Sequence, residues 1–250
     1  MSPRKQNNKK RLDVLLFERG FAESRQKSQA IILAGEVLVD NQKITKAGER
    51  VKLDAVIQVI GTRSRYVGRG GLKLQGALED FQVTVRGRIC LDVGSSTGGF
   101  TDCLLQDGAA RVYALDVTID QLDWKLQNDP RVISIQKNAR ELKTQDIPEP
   151  VEFVTIDVSF ISLQKILTAV TSIVTSEAEC LILIKPQFEL ERCDVGKGGI
   201  VRDPRLHEKA IARVKSSAIA AGLAVLDIKP SRLTGAEGNQ EFFLHARRQA

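Results

Sequence analysis

Two kinds of hydrophobic pattern follow one another along the chain. In residues 11–60, apolar side chains recur at helical spacing in RLDVLLFERG and again in SRQKSQAIILAG, and each pattern ends at a glycine. Two short strands joined by a turn at Asp40 and Asn41 follow in EVLVDNQKIT, and VKLDAVIQVI is typical of a third strand. The pattern therefore predicts a small α+β domain at residues 11–60.

The pattern then changes to short apolar runs that alternate with helical segments. The runs are RICLDV, RVYALDV, RVISIQ, VEFVTIDV, CLILIK, LAVLDIK and EFFLHA, and helical spacing recurs around residues 99–107, 161–175 and 204–221. Strands that alternate with helices predict a Rossmann-like, doubly wound α/β domain with a mostly parallel sheet of seven strands. The Gly- and Arg-rich stretch at 61–68 predicts a linker before this domain, which covers residues 69–250.

Charge is distributed unevenly between the two parts of the chain. Residues 1–88 hold 18 Lys and Arg against nine Asp and Glu, whereas residues 89–250 hold 19 against 22. A basic front on a slightly acidic body indicates a polyanionic partner. Residues 1–10 predict a basic disordered tail, which either contacts that partner or is solvated and has no role.

The composition argues against membrane, secreted and metal-binding proteins. No apolar run approaches the ~18 residues of a membrane-spanning helix, and no apolar segment follows the basic N-terminus as in a signal peptide. The four cysteines form no C-x-x-C pair, and no cluster of His, Cys and carboxylates indicates a metal. We therefore expect a cytoplasmic protein with reduced core thiols.

A glycine-rich loop, LDVGSSTGGF at residues 91–100, follows the first strand of the large domain. Such a loop lets the backbone approach a ligand, and a carboxylate at the end of the next strand can hold a ribose diol. NAD and S-adenosylmethionine both fit, but the spacing G-x-x-x-G-G departs from the dinucleotide fingerprint G-x-G-x-x-G and favours S-adenosylmethionine. The predicted cofactor residues are Asp92, Gly94, Ser95, Thr97, Gly98, Gly99, Phe100, Asp116, Val117, Asn138 and Asp157. Asn138 is read either as an adenine contact or as an ordinary helix cap.

Four charged residues are predicted to converge at the carboxyl edge of the sheet. Asp157 ends the fourth strand, and Lys185 ends the fifth, where Pro186 stiffens the exit of the chain. Lys73 lies on a predicted short helix before the first strand, and Glu241 opens the last strand. One such residue alone would be ordinary, but four beside a glycine-rich loop predict a catalytic site.

The small domain resembles the S-four RNA-binding domain in RLDVLL, SRQKSQAIILAGEVLVDNQ and LDAVIQV. Two cations in the first turn of the second helix oppose the helix dipole, which also indicates an external partner. The resemblance implies contacts with RNA phosphates, and the predicted RNA-binding residues are Arg11, Arg25, Lys27, Lys43, Arg65 and Arg69. The alternative is a small helical dimerisation module.

The large domain resembles the FtsJ-like 2′-O-ribose methyltransferases, whose Lys-Asp-Lys-Glu set matches Lys73, Asp157, Lys185 and Glu241. Residues 11–246 are similar to the TlyA/hemolysin-A family of ribosomal-RNA methyltransferases in YVGRGGLKL, LDVGSSTGGFTDCLLQDGA, DVSFISL, KPQFE, VGKGGIVRDP and GNQEF. The resemblance implies methylation of cytidine ribose in ribosomal RNA or ribosomal subunits, with S-adenosylmethionine as methyl donor and without a metal or a membrane partner.

Other functions stay open on the sequence alone. The family also carries the name haemolysin, so one alternative is a membrane-active protein, although no strongly amphipathic basic helix is present. Another is an RNA-binding factor with an inactive methyltransferase body. Base-amino methyltransferases use a [DN]-P-P-[YF] tetrapeptide that is absent after the fourth strand, and Cys193 is the only candidate nucleophile for a pyrimidine carbon. The target nucleotide, the subunit and the oligomeric state are not predicted.

Overall fold

The computed structural model describes residues 9–22, 24–60, 65–235 and 238–249. The chain divides into residues 1–63, here called the N-terminal unit, and residues 64–250, the C-terminal unit. The predicted tail lies outside the described residues at positions 1–8, and the predicted linker lies outside them at 61–64. Lys9 and Lys10 correct the predicted tail, because their backbone pairs with a neighbouring strand.

The described residues of the N-terminal unit form two helices and five short strands. They are β1 (Lys9–Arg11), α1 (Leu12–Glu18), α2 (Arg25–Leu33), β2 (Val37–Val39), β3 (Gln42–Ile44), β4 (Arg50–Lys52) and β5 (Ile57–Val59). Strand β2 pairs antiparallel with β3 and β5, and β1 pairs with β4. The predicted third strand is therefore two strands, because a turn at Leu53 and Asp54 divides it.

The hairpin turn between β2 and β3 lies where the sequence predicts it. Asp40 and Asn41 have φ of 49° and 65°, the left-handed conformation that a two-residue hairpin requires and that Asp and Asn tolerate. The turn returns the chain onto a small core of its own, which contains Leu12, Leu15, Leu16, Ile32, Val37, Val39, Val51, Ala55 and Ile57.

The described residues of the C-terminal unit form a seven-stranded sheet flanked by helices. The strands are β6 (Ile89–Val93), β7 (Arg111–Asp116), β8 (Val132–Gln136), β9 (Val151–Ile156), β10 (Val174–Ile184), β11 (Leu223–Pro230) and β12 (Phe242–Arg248). The helices are α3 (Arg69–Phe81), α4 (Gly99–Gln106), α5 (Trp124–Gln127), α6 (Leu167–Thr171), α7 (Pro186–Glu189) and α8 (Pro204–Ala220). The strand order is β11-β12-β10-β9-β6-β7-β8, and among these described strands only β12 runs against the others. The predicted mostly parallel sheet is confirmed.

Side chains of β10 explain why the apolar run CLILI is continuous. Alternate residues of a strand face opposite sides of the sheet. Leu181 and Leu183 pack with residues of α3 and α4, whereas Ile182 and Ile184 pack with residues of α6 and α8. Both faces are covered, so every position of the strand must be apolar.

One edge of the sheet gathers the ends of the parallel strands. Because β12 is antiparallel, its first residue lies at the same edge, with Phe242 opposite Ile184 of β10. Helix α3 reaches this region and is thirteen residues long, so the predicted short helix is corrected to a long one. The helical pattern predicted around 161–175 yields only the five residues of α6 and a preceding 3₁₀ turn, because β10 already begins at Val174.

Candidate active site

The loop between β6 and α4 borders a cavity of about 140 Å³, here called the loop cavity. Its lining residues are Gly68, Arg69, Gly70, Gly94, Ser95, Ser96, Thr97, Gly99, Phe100 and Asp157. Gly94 has a φ of 86°, and a Cβ at this position would overlap the carbonyl oxygen of Asp157. Glycine is therefore required where the loop passes the end of β9.

The first residues of α3 and α4 meet at the loop cavity. A Cβ added to Gly99 would lie 3.0 Å from the backbone nitrogen of Gly71 and 3.3 Å from that of Gly70. A side chain at position 99 would crowd these backbone atoms, so glycine favours the close approach of the two helix ends. Because the N-terminus of a helix carries partial positive charge, this wall of the cavity favours an anionic group.

Asp116 connects the glycine-rich loop to the end of β7. Its Oδ2 accepts a hydrogen bond from the backbone N–H of Ser96 at 2.9 Å, and its Oδ1 accepts one from that of Thr118 at 3.1 Å. Asp116 and the exposed Val117 lie outside the residues that line the loop cavity. A second contact fixes the glycine-rich loop at Thr97, whose carbonyl accepts a hydrogen bond from the N–H of Asp123 at 3.1 Å.

Asp92 differs from the other predicted cofactor residues, because it is fully buried. Its carboxylate accepts hydrogen bonds from the hydroxyls of Thr101 at 2.7 Å and Thr155 at 2.9 Å. Burial raises the pKa of Asp92 to about 7. Asp92 thus lies beneath the loop and joins β6 to α4 and β9 without lining the cavity.

Gly98 and Asn138 also lie outside the lining of the loop cavity. Gly98 precedes α4 with a φ of 94°, which glycine adopts readily. The Oδ1 of Asn138 accepts a hydrogen bond from the N–H of Arg140 at 3.1 Å, the contact of a helix cap. The other predicted loop residues line the cavity, together with Gly68, Gly70 and Ser96, which sequence reasoning misses.

A second cavity, of about 660 Å³, lies where β9, β10 and β12 meet the edge of the sheet. We call it the lysine cavity, and its lining residues are Lys73, Ser159, Phe160, Lys185, Gln187, Phe188, Val195, Gly198, Gly199 and Glu241. Three of the four predicted catalytic residues therefore line this cavity, and the fourth, Asp157, lines the loop cavity.

Each lysine of the predicted set lies against one carboxylate. The Nζ of Lys185 is 2.6 Å from Oδ1 of Asp157, and the Nζ of Lys73 donates to Oε2 of Glu241 at 2.5 Å. Lys185 also donates to Oγ of Ser159 at 2.8 Å. An ammonium group has three donors: one is hydrogen-bonded to Ser159, the charge is paired with Asp157, and Oδ1 of Asp157 has no hydrogen-bond partner among the described residues. Donor capacity at Lys185 therefore remains for a ligand.

Phe160 is a site residue that sequence reasoning misses. Its side chain is 92% exposed, its φ is 63°, and its ring centroid lies 5.1 Å from that of Phe188. A bulky residue in the left-handed region is costly and concentrates at functional sites. A signal was present, because Phe160 follows Asp157 by three residues, the spacing of the aromatic residue in the [DN]-P-P-[YF] tetrapeptide.

The segment that follows Lys185 is anchored at two points. The buried Glu189 accepts hydrogen bonds from Oγ of Ser162 at 2.8 Å and from the N–H of Leu163 at 2.9 Å, and burial raises its pKa. Further along, Oδ1 of the buried Asn239 accepts a hydrogen bond from the N–H of Val201 at 2.8 Å. This segment is therefore held against the site and is more than a surface loop.

The chain matches two family models. Residues 66–248 match the model described as FtsJ-like methyltransferase, and residues 10–57 match the S4 domain. The chain belongs to the FtsJ-like methyltransferase family.

Relatives of this FtsJ-like chain extend over both units. YqxC of Bacillus subtilis, provisionally named an rRNA methyltransferase, is 47% identical over 241 residues, which are 96% of this chain and 86% of YqxC. The 16S/23S rRNA (cytidine-2′-O)-methyltransferase TlyA of Mycobacterium tuberculosis is 43% identical over 241 residues, 96% of this chain and 90% of TlyA. A solved structure of a provisionally named hemolysin from Streptococcus thermophilus has a TM-score of 0.75 and 40% identity, covering 98% of this chain and 90% of that one.

In the S4-type N-terminal unit, two predicted RNA-binding arginines have an internal partner. The Nε atoms of Arg11 and Arg25 donate to opposite oxygens of the buried Asp13, at 2.9 and 3.0 Å. The hydrogen bond from Arg11 holds the pKa of Asp13 well below its usual range. The contact with Asp13 therefore explains why Arg25 lies in the first turn of α2. Its position there is no longer evidence for an external partner. Both guanidinium groups remain about half exposed, and Lys27 and Lys43 are exposed.

Arg65 and Arg69, the other predicted RNA contacts, lie in the FtsJ-like C-terminal unit. The guanidinium of Arg65 lies 5.2 Å from the ring centroid of Tyr66. Arg69 begins α3 and lines the loop cavity. The sequence predicted it as an RNA contact and not as a neighbour of the glycine-rich loop.

Other features of this FtsJ-like chain bear on the alternatives. No helix within the described ranges has the length and apolarity to cross a membrane. Across the same ranges, no group of three or more His, Cys, Asp and Glu residues is arranged to hold a metal ion. Cys90, Cys103 and Cys180 are buried free thiols as expected, whereas Cys193 is exposed, which corrects its prediction as a core thiol.

Proposed function

We propose that this chain transfers the methyl group of S-adenosylmethionine to the 2′-hydroxyl of a cytidine ribose in ribosomal RNA. The carrying observation is the ion pair between Lys185 and Asp157, because Asp157 lines the loop cavity and Lys185 lines the lysine cavity. A methyl donor in the first cavity and a ribose in the second would meet at this pair. Family membership supports the reaction class, and the name of TlyA supports the cytidine substrate.

The chemistry of the loop cavity and its border fits S-adenosylmethionine. Each oxygen of Asp116 accepts one backbone hydrogen bond and keeps capacity for a ribose hydroxyl. Asp157 places a carboxylate in the wall, which suits a positively charged sulfonium. When bound, S-adenosylmethionine supplies an electrophilic methyl group. The positions of Gly94 and Gly99 keep the surrounding backbone close and free of side chains.

Lys185 is the residue that we assign to the proton of the 2′-hydroxyl. Ser159 accepts one hydrogen bond from its Nζ and Asp157 pairs with its charge, so a position around Nζ remains for the substrate. In a neutral amine that position is a lone pair that takes the proton, and in an ammonium it is an N–H that polarises the oxygen. Lys73, held by Glu241, would position the 2′-oxygen for in-line attack.

Phe160 and Phe188 would hold the base of the target nucleotide. The two rings line the lysine cavity together with Lys185, and Phe160 is 92% exposed. Stacking on an aromatic side chain contributes ~1–3 kcal/mol per base. A base reaches such a ring only after leaving its own stack, so we expect the target to be unstacked when it is methylated.

The S4-type unit would supply contacts to the RNA backbone through its exposed basic side chains, Arg11, Arg25, Lys27 and Lys43. Such contacts recognise phosphates and fix orientation without reading sequence. Ribosomal RNA, free or within a ribosomal subunit, is therefore the proposed partner, and the cytoplasm, where ribosomes work, is the proposed location.

Transfer of tritium from labelled S-adenosylmethionine to isolated ribosomal subunits tests the reaction. We expect Lys185→Ala to lose methyl transfer by ~10²–10⁴-fold, the usual cost of removing a general base. Cofactor binding, measured by calorimetry, and RNA binding should stay close to those of the wild type, because neither depends on that amine alone. Lys165→Ala is the matched control, since Lys165 is an exposed lysine after β9 that lines neither cavity.

Lys185→Arg separates the two roles of the amine. A guanidinium does not give up its proton at working pH, so loss of activity would indicate that Lys185 takes the proton. Near-normal turnover of Lys185→Arg would show that Lys185 acts only as a fixed positive charge. Full activity of Lys185→Ala, or no transfer by the wild type to any ribosomal subunit, would refute the proposed function.

A further inference from the structure

Arg69 is the only cation among the residues that line the loop cavity. It is the first residue of α3 and lies between two glycines, Gly68 and Gly70, that line the same wall. Among the described residues, its guanidinium makes no ion pair and no side-chain hydrogen bond. The one carboxylate of the lining, Asp157, is 2.6 Å from Lys185 and is thus already paired. Arg69, an exposed residue at the border of the loop cavity, therefore carries a charge that no carboxylate of the described residues pairs with.

The surroundings of Arg69 add to this preference for an anion. The first residues of α3 and α4 meet beside it, with Gly99 so close to Gly70 and Gly71 that a Cβ would crowd their backbone nitrogens. Both helix ends contribute partial positive charge to the same wall. Because Arg69 is exposed, water meets its charge in the absence of a ligand, and an anionic group of a ligand could replace that water.

S-adenosylmethionine has one anionic group at neutral pH, the α-carboxylate of its methionine part. We propose that Arg69 binds this carboxylate, an assignment that rests on the proposed function and replaces the predicted contact with RNA phosphate. A planar guanidinium matches a carboxylate with two parallel hydrogen bonds. With the carboxylate held at Arg69 and the sulfonium near Asp157, the donor is oriented with its methyl group toward the lysine cavity.

A cofactor analogue isolates this contact. Decarboxylated S-adenosylmethionine lacks only the carboxylate, and calorimetry of the full chain with both compounds measures the contribution of that group. We expect the wild type to bind S-adenosylmethionine ~10–100-fold more tightly than the decarboxylated compound, the range for charge-assisted hydrogen bonds. Arg69→Gln should weaken binding of S-adenosylmethionine by about tenfold or more and leave binding of the decarboxylated compound unchanged.

Two further variants make the result specific. Arg69→Lys keeps the charge without the planar geometry, so it should retain part of the discrimination. Arg86→Gln is the matched control, because Arg86 is an exposed arginine of the same unit that lines neither cavity. Its affinity for both compounds should equal that of the wild type.

The outcomes separate this inference from the proposed function. If Arg69→Gln weakens both compounds equally, or neither, Arg69 does not bind the carboxylate, and S-adenosylmethionine remains the cofactor. Arg69→Lys could prefer S-adenosylmethionine over the decarboxylated compound no more than Arg69→Gln does, while both variants keep the melting temperature of the wild type. A positive charge alone would then contribute nothing to carboxylate binding, and only paired hydrogen bonds by arginine would be consistent with the assignment. If the wild type does not bind S-adenosylmethionine, the proposed function fails, and the role of Arg69 fails with it.

Discussion

At the residue scale, Asp92 shows how a carboxylic acid serves the site without touching a ligand. It lies under the glycine-rich loop, with one oxygen bonded to Thr101 of α4 and the other to Thr155 of β9. These two hydroxyls satisfy a group that would otherwise be costly to bury. The loop therefore rests on a polar support inside an apolar core.

The burial of Asp92 predicts a pH dependence of stability. Because its pKa is raised from 3.8 to about 7, the folded state binds the proton more tightly than the unfolded state. The contribution of Asp92 is then fully present below the unfolded pKa and is lost as the pH rises through the folded pKa. Between about pH 4 and about pH 8, we expect the free energy of unfolding to fall by on the order of 2–4 kcal/mol relative to Asp92→Asn.

Urea titrations of the wild type and Asp92→Asn at several pH values check this prediction. Other titrating groups are common to both proteins, so their difference reports Asp92. If that difference stays constant with pH, the two threonine hydrogen bonds outweigh burial and Asp92 is ionised throughout.

Single residues also show how far the sequence predicts the site. Lys185 and Asp157 could be placed because a polar residue at the end of an apolar strand lies at a definite edge of the sheet. The charge of Arg69 could not decide between an RNA phosphate and a cofactor carboxylate, because both are anions. Phe160 was missed because only its spacing from Asp157 marks it in the sequence, and that spacing does not show that its backbone is left-handed and its ring exposed.

At the element scale, the segments that follow β9 and β10 run side by side. Lys185 contacts Ser159, and the ring of Phe188 packs on that of Phe160. A third contact is made by the buried Glu189, which accepts hydrogen bonds from Ser162 and Leu163 in the turn that follows Phe160. Two chain segments that carry the lysine and the aromatic wall are thus connected at successive points.

Glu189→Ala tests whether this connection positions the site. An alanine has no side-chain acceptor for the hydroxyl of Ser162 or the N–H of Leu163, whereas a glutamine could keep both contacts by accepting from Leu163 and donating to the hydroxyl. We expect kcat to fall by ~10–100-fold, because displacement of catalytic groups by about 1 Å costs that much. The affinity for S-adenosylmethionine should be unchanged, since Glu189 is not among the residues that line the loop cavity.

Two comparisons give this experiment its controls. Glu191→Ala removes a carboxylate from the same segment whose side chain is 67% exposed, and it should have normal turnover. Ser162→Ala removes one partner of Glu189, so its effect should not add to that of Glu189→Ala. Additive effects, or an equal loss of cofactor affinity, would contradict a positioning role.

Element boundaries were less predictable than element types. The pattern at 161–175 is apolar enough for a helix, but its Thr and Val residues are β-branched and the chain enters β10 at Val174. The pattern at 51–60 suggested one strand, yet Asp54 allows a turn that the apolar residues around it conceal. In both cases the short-range periodicity predicted the type of element correctly. The residues at which the elements begin and end were determined by tertiary strand pairing.

At the scale of the whole molecule, the excess of basic residues is concentrated in residues 1–88, which include the S4-type unit. The structure separates two kinds of basic residue there. Arg11 and Arg25 compensate the buried Asp13, whereas Lys27 and Lys43 are exposed and make no ion pair among the described residues. Substitution of either arginine would change the stability of the unit as well as its affinity for RNA, because Asp13 would lose a partner. The lysines have no such partner within the described part of the chain and are therefore better probes of RNA binding.

The double variant Lys27→Gln/Lys43→Gln is expected to weaken RNA binding and its salt dependence together. Each lost phosphate contact should lower the slope of log K against log salt by roughly 0.9. Filter binding of ribosomal RNA by the full chain at several salt concentrations measures the slope. Lys165→Gln, which changes a lysine of the C-terminal unit, should leave it unchanged, and an unaltered slope in the double variant would show that the S4-type lysines do not contact RNA.

The division into two units, each with its own core, has a spectroscopic consequence. The single tryptophan, Trp124, and both tyrosines, Tyr66 and Tyr113, belong to the C-terminal unit. Intrinsic fluorescence therefore reports that unit alone, and Trp124, 75% exposed and next to the residue that bonds Thr97, reports it from beside the loop cavity. Tyrosine and tryptophan emission would not change when the N-terminal unit unfolds, so an emission curve with one transition describes the C-terminal unit only. Far-ultraviolet circular dichroism must report the N-terminal unit.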